Sequence, residues 1–253
     1  MRSLRHLEEE AALRHPNPDQ PSSDPVCSAL CGAGVERLAA LSGVTAAWLR
    51  ARDQWVDTTI RRQILPGHAQ ALILGLGLDP RLSRLPAGLL GEGAVLVVDR
   101  SDVLAARQRR LRGRGLEEPL QLTYLVGDPH APAQLDTLLQ GYVGGERASW
   151  LVMGVGLASW WGLDGLSQAV EALRSLGEPQ GSLGIGVDWL GPGLEAAPEG
   201  VQAGLVPRFG APLALAPLGL ELWFKAMGAV EVETTTLLRY GDEGVGFGTW
   251  AQW

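Results

Sequence analysis

Short apolar runs, each followed by glycine or aspartate, recur through the middle of the chain. Five of them have the near-continuous hydrophobic pattern of strands that are buried on both faces of a parallel sheet. They lie at residues 71–74, 94–98, 121–126, 150–153 and 182–187. Helical spacing of apolar residues separates them, at residues 81–85, 102–112, 132–139 and 163–176. This alternation predicts crossover connections and an α/β fold whose mostly parallel sheet is covered by helices.

The two ends of the chain depart from this rhythm. Residues 1–24 are charged and rich in proline, which indicates a polar N-terminal lead, and helices are expected over residues 25–66. Residues 190–217 contain many Gly and Pro residues and are predicted to form a loop. A helix and two strands complete the chain, at residues 218–227, 230–238 and 245–250. The short turn between these two strands predicts an antiparallel hairpin.

Length and composition fit one globular domain and exclude several classes of protein. The 253 residues are 46% hydrophobic and carry a formal net charge of -7, so the chain can bury a core and is not a disordered polymer. We predict one domain over residues 25–253, with a helical cap at 25–66 and a Rossmann-like core at 67–253. The acidic balance argues against a nucleic-acid partner, which would need a clustered basic surface.

The sequence also predicts a cytoplasmic location. Residues 1–20 lack the apolar centre of a signal peptide, and the longest apolar stretches are too short to span a bilayer, so no membrane partner is expected. Cys27 and Cys31 are expected to be small buried residues of a helix, which fits a reducing compartment. The four histidines share no spacing with other ligand types, so no metal is proposed.

A glycine turn, Gly75-Leu76-Gly77, follows the first predicted strand. In open α/β sheets, ligands bind at the carboxyl ends of the strands, and glycine lets a ligand approach the backbone closely. The third glycine of a dinucleotide fingerprint would fall at residue 80, which is Pro80, and this counts against an NAD or FAD site. A tight strand–helix connection without any ligand is the alternative interpretation.

Aspartates end the next two predicted strands. Asp99 could accept hydrogen bonds from both hydroxyls of a ribose, because a vicinal diol offers two donors and a carboxylate two acceptor oxygens. Asp128 stands at the equivalent end of the third strand, where it would reach the amino group of an adenine. Each aspartate alone could be a solvated strand end or a helix cap. Together with the glycine turn, they favour a nucleoside site.

The chain resembles the leucine carboxyl methyltransferase family, which includes small bacterial O-methyltransferases related to polyketide-tailoring enzymes. The resemblance is carried by Arg52-Asp-Gln-Trp-Val-Asp57, Leu74-Gly-Leu-Gly-Leu-Asp-Pro-Arg81, Val97-Val-Asp99 and Tyr124-Leu-Val-Gly-Asp128. It implies a seven-stranded class I methyltransferase fold that binds S-adenosylmethionine and acts on a small-molecule or peptide methyl acceptor.

The resemblance also implies which residues contact the cofactor. By matching position, Arg52 would approach the methionine carboxylate, and the glycine turn, including Leu76, would line the amino-acid part. Asp99 would hold the ribose and Asp128 the adenine end. The family usually has Glu-Gly at the end of its fourth strand, where this chain has Met153-Gly154. Met153 is expected to line the cofactor site without supplying the carboxylate.

Candidates for the remaining chemistry lie beyond the third and fourth strands. His130 is the nearest candidate general base, with an exposed loop histidine as the alternative. Trp160 and Trp161 could wall an apolar substrate pocket, or be one core and one surface residue. The arginine-rich stretch at residues 107–114 indicates a solvated helix face rather than a nucleic-acid contact.

Three functions agree with these patterns. The first is an S-adenosylmethionine-dependent O-methyltransferase that acts on a carboxylate or hydroxyl group of a small molecule or peptide. The alternatives are a nicotinamide-dependent oxidoreductase, and a non-catalytic nucleoside-binding or scaffold protein of methyltransferase fold. Neither the acceptor nor the oligomeric state can be inferred from the sequence.

Overall fold

The computed structural model describes residues 3–13, 25–37, 41–63, 69–84, 95–118, 122–140, 149–177 and 182–253. Its strands are β1 (Ala69–Leu74), β2 (Val95–Asp99), β3 (Leu122–Val126), β4 (Ser149–Gly154), β5 (Leu183–Leu190), β6 (Glu231–Tyr240) and β7 (Glu243–Gln252). They form one sheet in the order β3-β2-β1-β4-β5-β7-β6. β1 to β5 pair in parallel, and β7 runs antiparallel to β5 and β6. The expected class I methyltransferase fold, with its C-terminal hairpin, is confirmed.

Helices precede the sheet and connect its strands. They are α1 (Leu4–Leu13), α2 (Pro25–Cys31), α3 (Gly34–Arg37), α4 (Gly43–Gln63), α5 (Ser101–Arg112), α6 (Leu135–Leu139), α7 (Ala158–Gly177), α8 (Glu199–Phe209) and α9 (Pro217–Ala226). Short 3-10 turns add Arg81–Arg84, Pro132–Gln134 and Pro192–Leu194. Across the described ranges, no helix combines the length and the apolar character that crossing a membrane requires.

The sheet separates two apolar layers because side chains alternate along each strand. Leu72 and Leu74 of β1 face the layer formed with α6, α7 and α9, whereas Ala71 and Ile73 face α4 through Val56 and Ile60. This sandwich holds the carboxyl ends of β1, β2 and β4 in fixed register at one edge of the sheet. That edge carries the glycine turn and Asp99.

Part of the predicted loop over residues 190–217 is helical, so that prediction was wrong. α8 occupies Glu199–Phe209 despite Pro207 in its last turn. Leu205 and Phe209 are buried against α4 residues such as Trp48 and Leu49. Tertiary packing therefore stabilises a segment whose glycine and proline content favours a loop.

The sequence predicts a polar lead over residues 1–24, but part of this segment is a helix that packs against the rest of the protein. Residues 4–13 form α1, and Leu7, Glu9 and Glu10 of this helix are buried. The glutamates can be buried because arginines of other helices pair with them. The rest of the lead lies largely outside the described residues, and the domain boundaries stay a prediction.

Cys27 and Cys31 occupy the positions expected of them. Both lie on α2 and are buried, with 3.7 Å between their Sγ atoms. They belong to a small apolar cluster with Leu7 and Ala11 of α1 and Val103 of α5. This cluster packs α1 against the carboxyl edge of the sheet.

Candidate functional site

The glycine turn after β1 is tied directly to the end of β2. Gly75 and Gly77 have φ angles of +72° and +62°, a region that residues with a Cβ rarely adopt. The Gly75 amide donates to the carbonyl of Val98 at 2.9 Å, and the Gly77 amide donates to Asp99 Oδ2 at 2.7 Å. The turn and Asp99 therefore form one hydrogen-bonded unit, and their contact with a nucleoside stays a prediction.

Asp99 lines a small cavity at this edge of the sheet, here called the Asp99 cavity. Its volume is about 10 Å³, and it is lined by residues that include Leu7, Gly75, Gly77, Asp99, Arg100 and His130. The second oxygen of Asp99 accepts a hydrogen bond from the Arg100 amide at 2.8 Å. An ionised carboxylate offers about four acceptor sites, so the group that holds the turn can also accept hydrogen bonds from a diol.

His130 lines the Asp99 cavity and is held by Asp128. Asp128 Oδ1 accepts a hydrogen bond from the His130 amide at 3.0 Å and lies 3.2 Å from His130 Nδ1. The imidazole also makes an edge contact with Trp160, with 5.8 Å between the ring centroids. His130 thus lies on the Asp99 side of the site, where a nucleoside is expected. Its role as a general base stays a prediction.

A second cavity lies on the other side of the glycine turn, here called the Glu10 cavity. It also has a volume of about 10 Å³, and its lining includes Leu7, Glu10, Gly75, Leu76, Arg81 and Met153. The structure therefore brings the turn and Met153 together, as expected. Met153 is fully buried. Its Sδ packs against Gly186 of β5, so closely that a Cβ on this glycine would lie 2.7 Å from the sulfur.

Arg52 lies behind Glu10. It is fully buried, its Nη2 donates to Glu10 Oε2 at 2.8 Å, and its guanidinium lies 5.4 Å from the Phe209 ring centroid. Among the described residues that line the Glu10 cavity, the glutamate is present and Arg52 is not. The observed contact of Arg52 is with Glu10, and its approach to the methionine carboxylate stays a prediction.

Arg81 is the arginine that lines the Glu10 cavity, and the sequence analysis did not single it out. It pairs with Asp79 at 2.5 Å, Asp53 at 3.1 Å and Asp57 at 3.0 Å. These ion pairs join the 52–57 block to the 74–81 block. The sequence signal was present, because both blocks carry the family resemblance and Arg81 closes the second.

Helix α1 covers both cavities, and it was not predicted from the sequence. Leu7 lines each of them, and a Cβ at Gly77 would lie 2.9 Å from Leu7 Cδ2. Glu8 pairs with Arg37 and Arg110, and Glu9 pairs with Arg208 at 2.7 Å. The available signal was the apolar spacing Leu4, Leu7, Ala11 with three glutamates between, which is typical of an amphipathic helix.

The tryptophans beyond β4 have different environments. Gly162 has a φ of +64° and breaks α7, so Trp160 and Trp161 belong to a separate turn at its start. Trp161 is part of the core, and its Nε1 donates to the carbonyl of Pro129 at 2.9 Å. Trp160 is half-buried beside His130. This placement assigns Trp161 to packing; a substrate contact for Trp160 stays a prediction.

The arginine-rich end of α5 is not simply a solvated face. Arg107 is fully buried, donates to the Asp79 carbonyl at 2.7 Å and pairs with Glu118. Glu118 also accepts a hydrogen bond from the Tyr124 hydroxyl at 2.7 Å. Burial and this carboxylate raise the pKa of Tyr124 to about 12. For Arg107 the expectation of a solvated face was therefore wrong, since this residue braces the glycine turn from below.

A sequence model described as leucine carboxyl methyltransferase matches residues 29–157, slightly more than half of the chain. The chain belongs to the leucine carboxyl methyltransferase family. The protein is therefore an S-adenosylmethionine-dependent methyltransferase, so the expected family, enzyme class and cofactor are confirmed. Membership in the family also decides against the nicotinamide alternative. No curated protein matches the chain.

Solved structures resemble this family member in fold. A candidate methyltransferase from Thermobifida fusca YX is 14% identical, with a TM-score of 0.59 over 99% of this chain and 94% of that one. A DUF574 family protein from Streptomyces avermitilis MA-4680 is 17% identical, with a TM-score of 0.57 over 97% and 95%. The methyltransferase domain of bacterial CtHen1-C is 11% identical, with a TM-score of 0.54 over 80% and 97%. At these identities the likeness concerns the fold alone.

Proposed function

We propose that this methyltransferase transfers the methyl group to oxygen, on a carboxylate or a hydroxyl group of a small molecule or peptide. The observation that carries the proposal is the hydrogen bond between the Gly77 amide and Asp99, which joins the glycine turn to a carboxylate at the carboxyl ends of β1 and β2, where a nucleoside is expected. The oxygen acceptor is supported by the resemblance to O-methyltransferases.

The residues at the site fit the cofactor by their chemistry. Asp99 offers acceptors for a ribose, and His130, whose amide donates to Asp128, lines the same cavity on the side where adenine is expected. Gly77 presents no Cβ to a ligand, and the atoms nearest to its vacant Cβ position belong to the side chain of Leu7. The acids and arginines around the Glu10 cavity suit the zwitterionic methionine end.

The bound cofactor supplies a methyl group on an already activated sulfonium. The chain's own contribution is to orient the two reactants and to keep water out. Leu7, Leu76, Met153 and Val155 give the Glu10 cavity an apolar wall that excludes water. A carboxylate acceptor needs no proton removed, whereas a hydroxyl acceptor needs a base to take its proton.

Titration calorimetry with S-adenosylhomocysteine tests the cofactor site. We expect micromolar binding by the wild type, and a loss of about 10-fold to 100-fold in Asp99→Ala, since the substitution removes hydrogen bonds to a charged group. Asp102→Ala is the matched control, because Asp102 is an exposed acid of α5 that pairs with Arg100, the residue that precedes this helix. Absence of binding by the folded wild type would contradict the site assignment.

A second experiment separates the two acceptor classes. Extracted metabolites and peptides are incubated with the enzyme and isotopically labelled S-adenosylmethionine, and the methylated products are then treated with mild alkali. Methyl esters, made from carboxylates, release labelled methanol, whereas methyl ethers, made from hydroxyls, survive. Label transferred only to nitrogen or carbon would overturn the proposal of oxygen methylation.

A further inference from the structure

The family resemblance leads us to expect an acid at the end of β4 in the Glu10 cavity. This chain has Met153 at that position, but Glu10 of α1 lines the same cavity. Met153 is fully buried. Gly75 and Leu76 also line this cavity. We propose that Glu10 accepts the hydrogen bond of the cofactor's α-ammonium group, in place of the missing strand acid. This inference rests on the proposed cofactor site.

Glu10 is held in place for such a contact. Its side chain is 2% exposed, and Arg52 Nη2 donates to its Oε2 at 2.8 Å. Arg52 is itself fully buried on α4 and packs against Phe209. Because the partner arginine is fixed by packing, it positions the carboxylate of Glu10 at the wall of the cavity.

The other acid that lines this cavity is committed elsewhere. Asp79 Oδ1 accepts from the Arg81 amide at 2.8 Å, and its Oδ2 accepts from Arg81 Nε at 2.5 Å. Both carboxylate oxygens of Asp79 therefore bind Arg81, one through its amide and the other through its guanidinium group. Asp99 belongs to the separate cavity beyond the glycine turn. Of the two described acids that line this cavity, Glu10 is the one on the helix that covers it, and we therefore assign the ammonium contact to Glu10.

The charges around this cavity agree with a cationic ligand end. Four carboxylates and two guanidinium groups are connected there by ion pairs, namely Glu10, Asp53, Asp57 and Asp79 with Arg52 and Arg81. The net charge of these six groups is therefore negative. The methionine end of the cofactor carries a sulfonium and an ammonium against one carboxylate, so it is positive overall and is attracted to this cluster.

The test compares two probes that differ only at the ammonium group. S-adenosylhomocysteine and its desamino analogue, in which hydrogen replaces the α-amino group, are titrated calorimetrically into the full chain. We expect the wild type to prefer S-adenosylhomocysteine by about 10-fold to 100-fold, the effect of one charged hydrogen bond. In Glu10→Gln this preference should disappear, because binding of S-adenosylhomocysteine weakens while binding of the analogue does not.

Glu9→Gln is the matched control. Glu9 is as buried as Glu10 and pairs with arginines, but the described lining of the Glu10 cavity includes Glu10 and not Glu9. The control should keep the wild-type preference. Should Glu10→Gln fail to fold, Glu10→Asp replaces it, and its shorter carboxylate should reduce the preference.

The outcomes separate this inference from the proposed function. If the wild type binds both probes equally, or if the Glu10 variants keep the full preference, the role of Glu10 is overturned and the cofactor site stands. If the folded wild type binds neither probe, both proposals fail. Loss of the preference in the Glu10 variants alone supports the inference.

Discussion

Leu7 of α1 lies directly over Gly77 of the glycine turn, so close that a Cβ on the glycine would be 2.9 Å from Leu7 Cδ2. The same leucine lines both the Asp99 cavity and the Glu10 cavity. Each cavity, at about 10 Å³, has room for no more than a single water molecule. A nucleoside can occupy this edge of the sheet only after Leu7 has moved.

Shortening Leu7 should therefore speed cofactor association. We expect Leu7→Ala to bind S-adenosylhomocysteine about tenfold faster in stopped-flow fluorescence, since less of the closed form competes with the ligand. The same change should cost about 2–4 kcal/mol of unfolding free energy, because Leu7 is buried. Leu4→Ala is the control, since Leu4 packs on the same helix cluster. An equal acceleration in both variants would contradict the role of Leu7.

A methyl group at Gly77 should be much more harmful than one at a comparable glycine. Gly115 has a φ of +65°, close to that of Gly77, but a Cβ there would meet nothing within 4 Å. Gly115→Ala should therefore cost only the backbone strain, about 1–2 kcal/mol of unfolding free energy. Gly77→Ala should cost more, and Leu7→Ala should relieve the excess in the double variant. Urea unfolding checks this, and equal costs at both glycines would refute it.

Low pH should weaken the packing of α1 against the rest of the protein. Burial lowers the pKa of His6 below its ordinary value of 6.5, and Arg208 lowers it further. Burial opposes ionisation of Glu8, but hydrogen bonds from Arg110 and Arg37 outweigh it and hold its pKa below the ordinary 4.5. Groups with a lowered folded-state pKa stabilise the protein fully above their ordinary values and lose that contribution as the pH falls.

We therefore expect the thermal unfolding midpoint to fall in two stages on acidification, first below pH 6.5 and again below pH 4.5. His6→Gln should remove the first stage and leave the second. A midpoint that is constant from pH 7 to pH 5, for both the wild type and the variant, would count against the contribution of His6.

High pH should destabilise the folded protein through ionisation of Tyr124. Because burial raises its pKa from 10.0 to about 12, the stabilisation is complete below pH 10 and is lost as the pH rises toward 12. An absorbance titration should show one tyrosine ionising later than the rest. In Tyr124→Phe the late phase should vanish and stability should decline less over this range. A wild-type titration in which every tyrosine ionises near pH 10 would be the contrary result.

The strands and the turn could be predicted from the sequence because local pattern decides them. Runs such as 71–74 are apolar on both faces, and Gly75, Gly77 and Asp99 follow strand ends whose register the parallel sheet fixes. α1 and α8 escaped prediction because their stability comes from contacts distant in sequence. Glu9 is buried with Arg208 among its partners, and because that arginine lies 199 residues away, no local pattern encodes the pairing.

The three consecutive glutamates of α1 have a consequence beyond the cofactor site. Glu8 reaches Arg37 and Arg110, Glu9 reaches Arg37 and Arg208, and Glu10 reaches Arg52. One helical turn therefore acts as a hub that joins α3, α4, α5 and α8. Each of these helices contributes a cation to the same small region. Displacing the turn would release four guanidinium groups into mutual repulsion, so opening the site also loosens the scaffold around it.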